Sequence, residues 1–229
     1  MLNAIKRRLD KPAAVAERRH FILSSASLMV AGSCGALMKA QAATPPTVLV
    51  VGDSLSAEYG LRRGSGWVAL LAEKAQAEKP IFQVINASIS GDTTSGGRAR
   101  LGALLTQHKP QVVVIELGGN DALRGLPIKM TEDNLTQMVR ASQKAGARVL
   151  LVGMQVPPNY GATYTEDFSR TFARVAAAEK TGLVPFLLKG IADGADAERL
   201  FQADRIHPRE EAHPRMLANV WPELRRLLK

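Results

Sequence analysis

The chain has 229 residues, 46% of them hydrophobic and 22% charged, a composition ordinary for a globular protein large enough to bury a core. Its formal charge of +9 suggests an anionic partner, but residues 1–42 hold +5 of that charge and the remainder only +4. No Lys/Arg cluster interleaved with aromatic residues goes with the remainder, which argues against nucleic-acid binding.

Residues 1–42 read as an export signal peptide. Lys6, Arg7, Arg8, Lys11, Arg18 and Arg19 precede an apolar, small-residue run over 21–38, and Ala40-Gln41-Ala42 supplies an A-x-A cleavage pattern. Glu17-Arg18-Arg19-His20-Phe21-Ile22 resembles a twin-arginine signal, although Glu17 stands where Ser or Thr is usual. Ser24, Ser25, Ser27, Gly32, Ser33 and Gly35 make the run a poor permanent membrane span. The residues ahead of Cys34 fit a lipobox badly, so lipid anchoring there is not expected. Cleavage near Ala42 would leave one periplasmic domain over 43–229. That domain has no cysteine, hence neither disulfide nor thiol chemistry.

After the leader, short apolar runs alternate with longer amphipathic ones, the pattern of a parallel sheet wrapped by helices in three α/β/α layers. Strands are expected over 48–51, 81–85, 112–117, 148–152 and 183–188. Helices are expected over 67–78, 97–108, 131–145, 165–181 and 210–228. The central strands are almost continuous in Val, Ile and Leu, as both-face burial requires. Thr131 is the expected N-cap of the third helix and Gly146 the glycine that ends it. In the last helix Pro214 fits the first turn, whereas Pro222 should kink or break the helix near Val220.

Four polar stretches fall at the carboxyl ends of these strands, the edge where open α/β sheets bind ligands. After the first comes Gly52-Asp53-Ser54-Leu55-Ser56. A strand that stops at a glycine and delivers a serine at a helix start is a way to present a nucleophile beside backbone N–H groups and a helix dipole. After the second comes 86–94, where Gly91 can bring backbone close to a ligand and aim its N–H. After the third, Gly118-Gly119-Asn120-Asp121 offers the Asn120 amide as a donor to an oxyanion. After the last, Asp204-Arg205-Ile206-His207-Pro208 spaces a carboxylate and an imidazole so that the first can orient Nδ1 of the second, freeing Nε2 for a serine hydroxyl. Each stretch alone could be an ordinary turn. Together they supply the parts that acyl transfer needs.

These four blocks, Gly-Asp-Ser-Leu-Ser at 52–56, Gly91 in its Ser-Gly-Asp-Thr setting, Gly-Gly-Asn-Asp at 118–121 and Asp204-x-x-His207-Pro, resemble those of the SGNH (GDSL) hydrolase superfamily. The likeness covers 47–220 and is greatest to its bacterial periplasmic thioesterase I, lysophospholipase and arylesterase branch. It implies a flavodoxin-like sheet of five parallel strands in the order 2-1-3-4-5. It further implies Ser54 as nucleophile, His207 as general base and acid, and Asp204 as the orienting carboxylate. The Ser54 N–H, the Gly91 N–H and the Asn120 side chain would form the oxyanion hole. Leu123, Arg124, Gly125 and Leu126 match a loop that borders the acyl-chain groove. Arg205 and Arg209 depart from the family's Gly and Asn and add positive charge near the mouth. Asp53 and Asp121 are expected to support loop geometry, and His108 and His213 to be solvated surface groups.

The resemblance implies a serine esterase acting on small-molecule or lipid esters and thioesters through an acyl-enzyme, and a monomer is expected. Rival readings are an acyltransferase or carbohydrate O-deacetylase on the same triad, or a catalytically silent binding protein. The chain has no H-E-x-x-H, no Cys/His cluster and no Gly-rich phosphate loop, so neither a metal nor a nucleotide cofactor is expected.

Overall fold

The computed structural model describes residues 45–229, so the signal peptide, the twin-arginine pattern and Cys34 lie outside the described residues. Five strands, β1 (Thr47–Gly52), β2 (Gln83–Asn86), β3 (Val112–Glu116), β4 (Arg148–Val152) and β5 (Gly182–Val184), form one sheet in the order β2-β1-β3-β4-β5. Every neighbouring pair is parallel. This is the expected three-layer, flavodoxin-like architecture. Val48 to Val51 and Val112 to Ile115 are fully buried, because helices cover both faces of the central strands and no alternate position is left to water.

The helices are α1 (Trp67–Ala77), α2 (Thr94–His108), α3 (Gly119–Leu123), α4 (Ile128–Lys144), α5 (Ala162–Glu179), α6 (Ala197–Leu200) and α7 (His213–Leu227). Trp67, Phe82, Phe168 and Phe172 are among the largest fully buried side chains, and burying groups of this kind contributes about 1.5–3 kcal/mol each.

Several boundaries differ from expectation, each for a local reason. β2 begins at Gln83 and leaves Ile81, 49% exposed, outside the sheet. β5 covers only Gly182–Val184, because Pro185 has no N–H to continue the ladder. The apolar residues after it, Leu187 and Leu188, enter the core from a turn in which the Leu187 N–H donates to the Gly153 carbonyl at 3.0 Å. α2 starts three residues early, capped by the Thr93 hydroxyl accepting from the Gly96 N–H at 3.3 Å. α5 likewise starts at Ala162, behind Gly161 at φ 90°.

Thr131 is not an N-cap. α4 begins at Ile128 behind Pro127, and the Thr131 hydroxyl is buried inside the helix, donating to Asp121 Oδ1 at 3.4 Å. Gly146, at φ 86°, does end that helix, its N–H donating to the Gln143 carbonyl. Pro214 lies in the first turn of α7, which residues 210–212 precede as a 3₁₀ turn. Pro222 does not break α7, which runs on to Leu227. Pro222 and Ala218, whose carbonyl would otherwise receive the missing N–H, are both exposed, so water can satisfy that carbonyl.

Candidate active site

Ser54 stands at the carboxyl end of β1, in a turn that no helix follows until Trp67. The helix start expected at Ser54 does not form. The turn closes through the Asp53 carbonyl, which accepts the Ser56 and Ala57 N–H groups at 3.2 and 2.9 Å. Glu58 then adopts φ 61°, and its carboxylate gathers the Gly64 and Gly66 N–H groups, spending the chain on a knotted loop before α1. That loop lays the Tyr59 ring 4.3 Å, centroid to centroid, from the His207 imidazole at an interplanar angle of 38°.

His207 arrives on the long connection between β5 and α7. Phe201 and Pro208 form an antiparallel bridge, and the Gln202 N–H donates to the His207 carbonyl at 2.8 Å, making a tight hairpin of this segment. Arg205 turns it at φ 57°. The Asp204 carboxylate accepts the Ile206 and His207 N–H groups at 2.9 and 3.0 Å and meets His207 Nδ1 at 2.6 Å with its other oxygen. His207 Nε2 lies 2.8 Å from Ser54 Oγ. Partial burial acts to raise the Asp204 pKa, but the two N–H groups and the imidazole outweigh it and bring the carboxyl down to about 2. Arg209 Nε donates to the Phe201 carbonyl at 2.7 Å.

Gly91 follows β2 at φ 77°, a conformation that glycine adopts without strain. Its loop stays registered on β1, with the Ala87 N–H donating to Val50 and the Ile89 N–H to Gly52. Asn120 is in the first turn of α3, after Gly118 at φ 122°. Its Nδ2 donates to Asp53 Oδ2 at 3.1 Å. Leu123 ends α3, and Arg124, Gly125 and Leu126 lead away from it. Leu123 is 45% exposed, and Arg124 Nη2 donates to the Gly91 carbonyl at 2.7 Å, joining this segment to the Gly91 loop.

Asp121 is fully buried and receives the Thr94 N–H at 2.8 Å, the Thr94 hydroxyl at 2.5 Å and the Thr131 hydroxyl, tying α2, α3 and α4 together. His213 is not a surface group. It is 1% exposed, with Nδ1 accepting the Trp67 N–H at 3.0 Å and Nε2 making no hydrogen bond. Burial lowers its pKa from the ordinary 6.5 against the opposing pull of the Pro208 carbonyl, Glu58 and Glu210.

Sequence reasoning missed Glu116. It ends β3 fully buried behind the Ser54 turn, accepting the Ser56 hydroxyl at 2.7 Å and the Asp53 N–H at 3.4 Å. Burial, then the neighbouring Asp53 charge, push its carboxyl well above the usual range. A glutamate closing the run Val-Val-Val-Ile was the available signal, since such a charge is rarely buried without a partner.

A serine hydroxyl, an imidazole and a carboxylate in hydrogen-bonded line, at the carboxyl edge of a 2-1-3-4-5 sheet, make the arrangement that α/β hydrolases of acyl esters use. Residues 50–215 match the GDSL-like Lipase/Acylhydrolase family. The chain is 50% identical over 202 residues to "Esterase TesA" of Pseudomonas aeruginosa, covering 88% of this chain and 99% of that one. It is 42% identical over 178 residues to "Thioesterase 1/protease 1/lysophospholipase L1" of Escherichia coli, covering 78% and 83%. Among solved structures, a crystal structure of TesA superposes with a TM-score of 0.74 at 54% identity, covering 79% of this chain and 99% of that one. The psychrotrophic esterase EstA from Pseudoalteromonas, inhibited by monoethylphosphonate, also reaches 0.74, at 42% identity over 80% and 98%. The chain belongs to the GDSL-like lipase/acylhydrolase family and is an ester-hydrolysing enzyme.

Proposed function

We propose that Ser54 attacks the substrate carbonyl while His207 Nε2 takes its proton, Asp204 holding the imidazole by Nδ1–H and stabilising the imidazolium. The Ser54 Oγ–carbonyl carbon bond forms, and the carbonyl electrons move onto an oxygen that the Ser54 N–H, the Gly91 N–H and Asn120 Nδ2 receive. When they return, the bond to the leaving oxygen or sulfur breaks and His207 Nε2 gives that atom its proton. Water, deprotonated by the same nitrogen, then attacks the acyl carbon; as that adduct collapses the bond to Ser54 Oγ breaks, His207 Nε2 returns the proton to Oγ, and the acid leaves. The observation that carries this reading is the continuous line Asp204 Oδ2–Nδ1 at 2.6 Å and Nε2–Ser54 Oγ at 2.8 Å.

The substrates proposed are aryl esters, acyl thioesters and lysophospholipids, the classes that the relatives' names mention. Leu123, Arg124, Gly125 and Leu126 border the acyl group, a role supported by exposed Leu123 and by the Arg124 bond to the Gly91 loop. Residues 1–42 direct export and are removed near Ala42, leaving a monomeric periplasmic domain over 43–229. Among the described residues no helix is long and apolar enough to cross a membrane.

Two measurements test the reading. Purified protein should be labelled at Ser54 by a fluorophosphonate and should hydrolyse a short-chain aryl ester, and Ser54→Ala should lose both. Turnover that survives Ser54→Ala defeats the assignment. Amino-terminal sequencing and the elution volume of the periplasmic product test the cleavage site and the single-chain state.

A further inference from the structure

The carboxylate of Asp53, immediately before Ser54, faces two ways. Oδ1 accepts the Leu55 N–H at 3.1 Å, on the far side of Ser54, and Oδ2 accepts Asn120 Nδ2 at 3.1 Å. One buried side chain, 2% exposed, thus spans from the turn that carries the serine to the amide that follows β3. An amide nitrogen has two protons, so the bond to Asp53 uses one and leaves the other for a ligand while fixing the plane in which it lies.

We propose that Asp53 is a positioning residue for the reaction: a strut that sets the Asn120 amide against Ser54 and thereby holds the oxyanion pocket at its working width. This rests on the assignment of Ser54 and Asn120 made above. Three observations converge on it besides the two hydrogen bonds. Glu116 lies behind the strut and braces it from β3, accepting the Asp53 N–H and the Ser56 hydroxyl. The packing there is so close that a Cβ on Gly52 would stand 2.7 Å from Ser56 Oγ and 2.8 Å from Glu116 Oε2, so the brace occupies the space a side chain at 52 would need.

The third observation is electrostatic. The titratable groups that face Asp53 are Glu116 from β3, Asp92 from the loop after β2 and His207 from the loop after β5. Burial raises Asp53 to about 6, against the Leu55 N–H, His207 and Asn120, while Glu116 is pushed well above its usual range. Both carboxyls are thus held above their ordinary values, Asp53 chiefly by burial and Glu116 by burial and by its neighbour Asp53. Positive charge developing on His207 favours the ionised form of Asp53, and an ionised acceptor holds an amide more firmly than a neutral one.

The experiment is a double-mutant cycle on full-length-derived enzyme purified from the periplasm, with a short-chain aryl ester as substrate. Asp53→Asn keeps the shape but replaces one acceptor with a donor. Asp53→Ser keeps a short oxygen for the Leu55 N–H but cannot reach Asn120, and serves if the first variant folds poorly by circular dichroism. Either should lower kcat by about 10- to 100-fold with KM within about threefold, less than the 10²–10³ typical of deleting an oxyanion donor. In an Asn120→Ala background the same change should cost under about threefold, because a strut without its amide has nothing left to position. A general structural defect would instead multiply with Asn120→Ala and would leave no such selectivity. Full kcat in both Asp53 variants, or losses that multiply, overturns the proposal while Ser54→Ala remains inactive. Turnover in Ser54→Ala overturns this proposal together with the reading beneath it.

Discussion

The ring of Tyr59 lies against the imidazole of His207, their centroids 4.3 Å apart, although Tyr59 is half exposed to solvent. Gln202 fastens this arrangement, its Nε2 donating to the Tyr59 carbonyl at 2.9 Å and to the Pro208 carbonyl at 3.2 Å. The aromatic face therefore limits how far the imidazole can swing from Ser54. Such a pair is worth about 0.5–1.5 kcal/mol beyond its buried area. Tyr59→Ala should lower kcat/KM for a short ester by roughly 2- to 10-fold with little change in melting temperature, and Tyr59→Phe should restore it. Undiminished kcat/KM in Tyr59→Ala would show that the ring does no positioning.

Glu116 makes stability depend on pH in a predictable direction. Its folded-state pKa is raised, so the folded form binds its proton more tightly than the unfolded chain does. That contribution is fully present below the unfolded value of 4.5 and is lost as pH rises through the elevated folded one. Glu116→Gln mimics the protonated state at every pH. Its melting temperature relative to wild type should therefore climb as pH increases from about 4.5 to 9. A difference that stays constant across that range contradicts the buried neutral glutamate.

His213 has the opposite sign. Its pKa is lowered from 6.5 by burial, so its contribution is present above that value and is lost as pH falls through the depressed one. His213→Asn keeps an acceptor near the Trp67 N–H but cannot take up the proton. Wild type should be the more stable protein at pH 8, and thermal melts should find its advantage shrinking between pH 6.5 and 5. An advantage that grows on acidification would refute the assignment.

At Gly52 the prediction concerns space. A methyl group there meets the Ser56 hydroxyl and the Glu116 carboxylate well inside contact distance, and neither is free to leave. Gly52→Ala should cost about 1–3 kcal/mol in denaturant unfolding, the usual range for overpacking. It should also reduce turnover, since the displaced groups brace the Ser54 turn. Wild-type stability and kcat together would mean the region yields more readily than its packing implies.

Sequence reasoning reached the fold because five apolar runs and the polar stretches after them repeat one physical statement: core residues end where a ligand edge begins. The sheet order and the ester-hydrolysing family followed from the four blocks taken together. What escaped it depends on partners distant in the chain. Thr131 looks like a cap until Asp121, ten residues earlier, is seen to need its hydroxyl. The second helix looked as if it began at Gly97, because its cap at Thr93 shows only when the hydroxyl meets the Gly96 N–H, and Gly97 itself is required where Leu117 packs against α2. His213 looked solvated because nothing local says that the Trp67 N–H will seek its ring nitrogen. Glu116 was overlooked because its meaning lies in Ser56, sixty residues away.

The hairpin between Phe201 and Pro208 brings Asp204 and His207 to Ser54 together, while Ser54, Gly91 and Asn120 follow the ends of three adjoining strands. The bond between carboxylate and imidazole is thus internal to one turn, spanning 3 residues of chain, whereas the imidazole's bond to Ser54 spans 153. Whatever displaces the hairpin carries both groups together and leaves their mutual contact intact.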